Sequence, residues 1–205
     1  RAHLGELRQA LHDERALSTS RRDELDVLIR RLQQQPGLRS EAEYVELFDR
    51  GRRTALHLFE HVHGDSRDRG PAMVDLARTY ETAGLYLGDG ELPDHLCVVL
   101  EFASTQPPAA ARAFLGETAH ILRAIFTALK ERGSPYASAV AAVLDLAGEP
   151  AAAVKLADEP GLDESWAEPA AFDGCSTAGQ ARPGTPQPIR IVRTSATAPN
   201  QGAQA

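Results

Sequence analysis

The apolar side chains recur three or four residues apart from the beginning of the chain to about residue 147, and this is the spacing of amphipathic helices. These apolar stripes run Leu4–Leu11, Leu25–Leu32, Tyr44–Val62, Met73–Leu87, Leu92–Ala103, Phe114–Leu129 and Tyr136–Ala147. No stretch alternates between apolar and polar residues for long enough to require a β-strand. The sequence therefore predicts an all-α fold, a single globular bundle of about seven to nine helices.

The stripe from Tyr44 to Val62 predicts one long helix. Ser40, followed by Glu43 three residues later, has the spacing of a capping box at the start of this helix. Gly51 lies within the stripe, where the missing side chain would let another helix approach closely.

A helix-loop-helix junction follows. Gly64 is expected to end the long helix, and Pro71 suits the first turn of the next one, where a missing N–H is tolerated. The residues from Asp65 to Arg69 are then a short charged surface loop. Asp65 or Ser66 could serve there simply as a cap for the following helix.

The second half of the chain predicts further helices. Pro93 and Asp94 fit the first turn of the helix that continues to Ala103, where proline and negative charge are both favourable. The stripe Phe114–Leu129 is the most apolar and predicts the central helix of the core. Two short helices are expected near the end, over Ala151–Leu156 and Trp166–Phe172.

The composition changes after residue 175. From Ser176 onward Pro, Thr, Gln, Ala and Gly dominate, so we expect a helical domain over residues 1–175 and a disordered tail over 176–205. The tail contains three arginines and no acidic residue, so the domain is more negative than the net charge of −7. A nucleic acid partner is therefore not expected, whereas a basic peptide is electrostatically reasonable.

Cysteine usage and hydropathy indicate a cytosolic protein. Cys97 and Cys175 are too few for a disulfide framework and do not form a CxxC motif. No run of 18 apolar residues and no signal peptide can be found, so stable membrane insertion is not expected.

Two patterns of histidine raise the question of a metal. His57 and His61 have helical metal-ligand spacing, but Arg50 and Arg53 share their face, so a solvated mixed-charge surface is the stronger interpretation. An alternative function is a metal-dependent helical phosphohydrolase that uses the cluster His61, His63, Asp65 and Asp68. The sequence has no P-loop and no G-x-S-x-G nucleophile elbow.

Three motifs carry a resemblance to a known family. They are the segment Phe59–Leu76, which contains the charged loop, the aromatic-x-x-Leu-Phe motif Tyr44–Phe48, and the acidic-Leu-Pro-Asp-His motif Glu91–His95. Together they resemble the delta-subunit family of respiratory nitrate reductase assembly chaperones, within the wider group of molybdoenzyme maturation chaperones. The resemblance covers Tyr44–Leu100 and reappears weakly at Phe172–Cys175.

The resemblance implies a function. It implies a system-specific cytoplasmic chaperone that binds the immature alpha (catalytic) subunit of nitrate reductase through the N-terminal segment of that subunit. Such a chaperone delays membrane anchoring, allows insertion of the molybdenum guanine dinucleotide cofactor, and is not part of the final enzyme. The chaperone would itself be no enzyme and would need no cofactor or metal.

The resemblance also implies a set of client-binding residues. Mapped onto this sequence, they are Tyr44, Phe48, Phe59, Glu60, His61, His63, Asp65, Arg67, Asp68, Arg69, Asp94 and His95. We expect a groove whose apolar wall is Tyr44, Phe48 and Phe59, and whose acidic rim is Glu60, Asp65, Asp68 and Asp94. The basic, apolar stretch Pro188–Arg193 of the tail is expected to visit this groove.

Overall fold

The computed structural model describes residues 3–64 and 66–156. Its α-helices within these ranges are α1 Leu4–Asp13, α2 Thr19–Gln34, α3 Gly37–Tyr44, α4 Leu58–Val62, α5 Arg69–Thr82, α6 Leu96–Thr105, α7 Pro108–Glu117, α8 Ala119–Glu131 and α9 Ala137–Ala147. A π-helical turn, Val45–Asp49, and a 3-10 turn, Arg52–Thr54, join α3 to α4. No strand is assigned in the described ranges, so the predicted all-α class is confirmed.

Helix α8 is the centre of the hydrophobic core. Its residues Leu122, Ile125 and Leu129 are completely buried, because an unusually wide apolar face of this helix is covered on several sides. Helix α9 packs along it with Val140, Ala141 and Leu144, while α6, α7 and α4 cover other parts. The predicted stripe Phe114–Leu129 does lie at the centre of the core, but it is not one helix. Its first part belongs to α7, which ends at Glu117, and the rest to α8, which begins at Ala119.

The predicted long helix between Ser40 and Val62 is wrong. Helix α3 begins at Gly37, before Ser40, and the Ser40 hydroxyl lies near the Pro36 carbonyl at 3.4 Å, so the predicted capping box does not form. The chain then leaves the α-helical path at Val45 and resumes it only at Leu58. The buried Thr54 hydroxyl contacts the carbonyls of Leu47 and Gly51, which are acceptors that a continuous helix would have satisfied internally.

Other predicted boundaries also need correction. Helix α6 begins at Leu96, so Pro93 and Asp94 precede the helix instead of forming its first turn. Helix α5 ends at Thr82, which places Leu87 in the connector that follows. Residues 151–156 form no helix. The predicted helix at 166–172, the segment Phe172–Cys175 and the domain boundary at 175 lie outside the described residues.

Helix α1 is attached to the domain mainly by charge. None of its residues is buried, but Arg8 and His12 both contact the carboxylate of Asp26 on α2 at 3.0 Å. Asp26 itself is buried. Burial opposes its ionisation, but the hydrogen bonds from Arg8 and His12 outweigh that effect, so the pKa of Asp26 lies below its usual value.

Among the described helices, none is both long enough and apolar enough to cross a membrane.

Gly51 provides a test of the interrupted helix. A Cβ at this position would collide with the Leu47 carbonyl and the Thr54 hydroxyl, and would also lie 3.2 Å from the Arg132 guanidinium. Because backbone atoms cannot yield as a flexible side chain does, Gly51→Ala is expected to lower the free energy of unfolding by about 1–3 kcal/mol, as measured by urea denaturation.

Gly116→Ala is the matched control. Gly116 lies within α7 and nothing surrounds its missing Cβ within 4 Å, so the same change there should raise stability by about 0.5–1 kcal/mol. Equal effects at the two sites would contradict the steric account of the interruption.

Candidate functional site

The segment that begins at His57 lies beside the end of the motif Glu91–His95. The Leu58 N–H donates to the Asp94 carbonyl at 3.0 Å, and the Leu96 N–H donates to the Leu56 carbonyl at 2.8 Å. His57 and His95 thus form a single antiparallel bridge, with ring centroids 4.9 Å apart. Two motifs that are far apart in sequence therefore form one structural unit.

The Asp94 carboxylate lies at the centre of this unit. Its side chain is completely buried, and its Oδ2 accepts a hydrogen bond from the Phe59 N–H at 3.1 Å. Helix α4 receives no side-chain cap from its own N-cap residue, His57, so Asp94 caps it from a different part of the chain. The expectation that Asp94 belongs to a solvent-facing acidic rim is therefore wrong.

Two cationic or ionisable side chains complete the surroundings of Asp94. His57 Nδ1 lies 3.4 Å from Oδ1, and an Arg69 nitrogen lies 3.7 Å from Oδ2. The same Arg69 nitrogen is 3.5 Å from Glu60 Oε1. Arg69 thus lies between two carboxylates, which fixes the first residue of α5 to the start of α4.

The other end of α5 is held by the same motif. The Tyr80 hydroxyl donates to the Pro93 carbonyl at 2.8 Å, and its ring packs on Phe102 at 4.6 Å. Burial, and to a lesser extent the negative charge of Asp94, raise the pKa of Tyr80 above its ordinary value. Between these attachments α5 buries no residue fully, and Met73, Leu76 and Ala77 are only half-buried.

The histidines of the segment contact the protein itself. His61 Nε2 lies 2.9 Å from the Ala55 carbonyl, and the His63 ring packs edge-on against Phe59 at 5.6 Å. Burial, and then the nearby His57, lower the pKa of His95, whereas Asp94 and Glu91 oppose this shift. Within the part of the chain that the structure describes, no group of three or more His, Cys, Asp or Glu side chains is arranged so that it could hold a metal ion. The phosphohydrolase cluster is thus not assembled there, and Asp65 lies outside the described residues.

The loop between α4 and α5 agrees with its prediction where it is described. Gly64 has a φ of 51°, which is favourable for glycine, just after α4 ends at Val62. Ser66, Arg67 and Asp68 are exposed. The Ser66 hydroxyl accepts from the Asp68 N–H at 3.2 Å, so it stabilises the turn before α5.

The three aromatic residues expected in one wall are separated. Phe48 is buried and packs against Tyr44 and Tyr136, with ring centroids 4.8 and 5.2 Å away. Phe59 takes part in neither of these two ring contacts. The predicted wall is therefore wrong as a single surface, because Phe48 belongs to the buried core.

Two cavities of different character flank α4. The polar cavity, about 440 Å³, is lined by Phe48, Asp49, Arg50, Gly51, Arg52, Ala55, His57 and Glu60. The apolar groove, about 290 Å³, is lined by Leu58, Phe59, Val62, Leu76, Val99, Phe114, Glu117, Thr118, His120 and Ile121. The short helix α4 thus separates an apolar groove from a charged cavity, and Val62 on its groove side is 51% exposed.

Sequence reasoning missed the far side of the apolar groove. Phe114 and Ile121 were expected only in the core, and Glu117 and His120 belonged to no motif. Their position depends on how α7 and α8 pack beside α4, and periodicity within either helix contains no such signal.

Comparisons with known proteins agree with the motifs. The family described as nitrate reductase delta subunit has a sequence model that matches residues 14–142. The nitrate reductase molybdenum cofactor assembly chaperone NarJ of Escherichia coli K12 is 41% identical over 176 residues, which is 81% of this chain and 75% of that protein.

Two further relatives match shorter regions. The probable nitrate reductase molybdenum cofactor assembly chaperone NarW of E. coli K12 is 47% identical over 66% of this chain and 59% of its own length. The probable assembly chaperone NarJ of Bacillus subtilis is 34% identical over 46% of this chain and 51% of its own length.

The buried carboxylate can be tested by substitution. Asp94→Ala removes the cap of α4 and leaves His57 and Arg69 without their shared acceptor, so we expect the free energy of unfolding to fall by about 1–3 kcal/mol. The exposed Asp68 is the control, and Asp68→Asn should change stability by less than about 0.5 kcal/mol. If urea denaturation gave similar small changes for both variants, Asp94 would not be the link between the motifs.

Proposed function

Since this chain belongs to the nitrate reductase delta subunit family, we propose that it is an assembly chaperone that binds the immature alpha subunit of a respiratory nitrate reductase. In this proposal it holds the N-terminal segment of that subunit in the cytoplasm, delays its membrane anchoring while the molybdenum cofactor is inserted, and then leaves. The named relatives are assembly chaperones, not catalysts. The chain accordingly acts by binding.

The apolar groove beside α4 is the observation that carries the proposal. Its lining is mostly aliphatic and aromatic, and it includes Val62, whose side chain is accessible from solvent. Helix α5 contributes Leu76, on a face that the domain leaves half-buried. An amphipathic client helix in this groove would cover both surfaces, which is the helix-in-groove mode of peptide recognition.

The charges around the groove favour a basic client segment. Glu117 lines the groove and is exposed, and Asp68 is exposed on the loop after α4. Glu60 lies on the opposite side of α4, where Arg69 holds its carboxylate. A client helix that enters the groove with its apolar face would therefore present basic side chains to Glu117 and to this loop.

The proposed client-binding residues separate into two roles. We propose direct contact for Phe59, His63, Arg67 and Asp68, and the same for Asp65, whose position is not described. Glu60, which is on the other side of α4 and is held by Arg69, acts through the shape of the site. Asp94, Arg69, His95, His61, Phe48 and Tyr44 act through the shape of the site, because they hold α4 and its flanking turns in place.

The groove makes a prediction for Val62. Val62→Asn should weaken binding of a synthetic peptide with the N-terminal sequence of the alpha subunit by about tenfold, because an apolar contact is replaced by a polar one. The measurement is isothermal titration calorimetry with the full chain.

Val74→Asn is the matched control for this test. Val74 is 52% exposed, nearly the same as Val62, but it does not line the groove, so its variant should bind as the wild type does. Equal losses in both variants would exclude the groove, and the absence of binding to the wild-type chain would refute the proposed function itself.

The negative charge of Glu117 at the groove leads to a separate prediction. Glu117→Lys should weaken peptide binding at low ionic strength and flatten its salt dependence, since salt screens charges beyond about 8 Å at physiological ionic strength. Glu131→Lys produces the same change in net charge at the exposed end of α8, away from the groove. If the two variants showed identical salt dependence, the effect would come from net charge and Glu117 would have no specific role.

A further inference from the structure

A groove whose charged side chains are all acidic lies where α5 and α6 end. This acidic groove has a volume of about 110 Å³, and Tyr80 and Phe102 form its buried interior. Its exposed lining residues include Tyr86, Glu91 and Glu101. Among the residues that the structure describes, no arginine, lysine or histidine lines this groove, whereas the polar cavity contains arginines and the apolar groove contains a histidine.

The ends of both helices add to this negative charge. Tyr80 lies in the last turn of α5 and Thr105 is the last residue of α6, and both residues line the groove. The C-terminal end of a helix has a partial negative charge, which a basic residue in the last turn offsets. Neither of these two helices has a basic residue in its last turn. The groove thus combines the negative potential of two carboxylates and of two helix ends.

The carboxylate of Glu91 is ordered by the protein itself. Its Oε2 accepts a hydrogen bond from the Gly88 N–H at 3.0 Å, and the Glu91 N–H donates to the Gly88 carbonyl at 3.2 Å. A carboxylate that is already held in one position loses less conformational entropy when a cation binds to it. The groove is therefore partly organised for a positively charged ligand.

Tyr86 determines which kind of cation suits the groove. Its side chain is 80% exposed, and it shares the groove with the two glutamates. A guanidinium stacks flat on an aromatic ring and also donates paired hydrogen bonds to a carboxylate. A lysine ammonium is a compact, strongly hydrated charge without this planar fork. The combination of ring and carboxylates therefore favours arginine.

We propose that the acidic groove binds an arginine of an extended, basic segment in a partner protein. The guanidinium lies on Tyr86 and pairs with Glu91 and Glu101, and a neighbouring aliphatic side chain of the segment contacts Leu85 and Val98 in the groove. The volume limits the occupant, because about 110 Å³ equals about four water molecules at roughly 30 Å³ each. This space admits a single side chain but not the apolar face of a helix.

This surface is distinct from the one proposed for the client helix. The acidic groove and the apolar groove share no lining residue, although Phe102 of the first packs on Phe114 of the second at 4.9 Å. Two different segments can therefore bind to the two grooves at once. Binding in the acidic groove requires no nitrate reductase subunit and does not depend on the proposed function.

The experiment is methyl NMR spectroscopy of the full chain, titrated at low salt with the blocked peptide Ala-Arg-Leu-Arg-Ala. Chemical shift changes are expected at Leu85, Leu87 and Val98, and the affinity should fall as salt is added. A peptide in which citrulline replaces both arginines has the same shape without the charge, so it should bind at least about tenfold more weakly. A peptide with lysines at these two positions should bind about threefold more weakly.

Matched substitutions test the two glutamates. Glu91→Gln/Glu101→Gln keeps an oxygen acceptor for the Gly88 N–H and should weaken binding of the arginine peptide by about tenfold. Glu81→Gln/Asp89→Asn is the control, because it removes the same charge from exposed residues that do not line the groove. The affinity of this control for the peptide should change by less than about twofold.

Tyr86→Leu tests the choice of arginine, since this variant should bind the arginine and lysine peptides alike. The proposal is overturned if the two double variants bind alike, or if the wild type binds the citrulline or lysine peptide as tightly as the arginine peptide. It also fails if Leu85, Leu87 and Val98 do not respond to the arginine peptide. Shift changes at Val62 and Ile121 instead would place the peptide in the apolar groove.

Discussion

The site depends on one buried carboxylate that bonds to three separate parts of the chain. Asp94 accepts the Phe59 N–H, contacts His57 and lies near Arg69, so it joins the start of α4 to the start of α5. An ionised group can be buried only if such partners replace its hydration. Helix α4 in turn needs Asp94, because it has only five residues and its own N-cap residue supplies no side-chain cap. Asp94 therefore helps to fix the start of α4 and, through Arg69, the end of the loop that follows α4.

This arrangement changes how the family motifs should be interpreted. Asp94, Arg69 and His61 look like binding residues in the sequence because they are polar and belong to the signature. In the structure their polar atoms face partners within the protein. The surface that we propose for the client comes instead from Phe59, Val62 and residues of α7 and α8. A signature of this kind records the residues that shape a site as well as those that touch its ligand.

Helix α5 has a loosely packed centre for a related reason. Helix α5 is attached at its ends, by Arg69 and by Tyr80, and both attachments lead to the Pro-Asp-His motif. Its middle remains half-buried along the apolar groove, and the connector after it, residues 85–87, lines a separate cavity together with Tyr80 and Phe102. One element with polar anchors at both ends thus leaves an apolar face partly exposed along the apolar groove.

The sequence alone was sufficient for the all-α class, the central position of α8 and the turn at Gly64, because these depend on helical periodicity and on the backbone preferences of neighbouring residues. It was also sufficient for the family, since the motifs are continuous in the chain. It could not show that the helix breaks after Tyr44, since Gly51 fits a helical stripe and only the contacts of Gly51 and Thr54 with Leu47 favour the interruption. Nor could it show that Asp94 is buried or that Phe114 and Glu117 lie beside Phe59. Those facts depend on the packing of elements far apart in sequence, and local patterns do not encode which distant group will supply a cap or complete a groove.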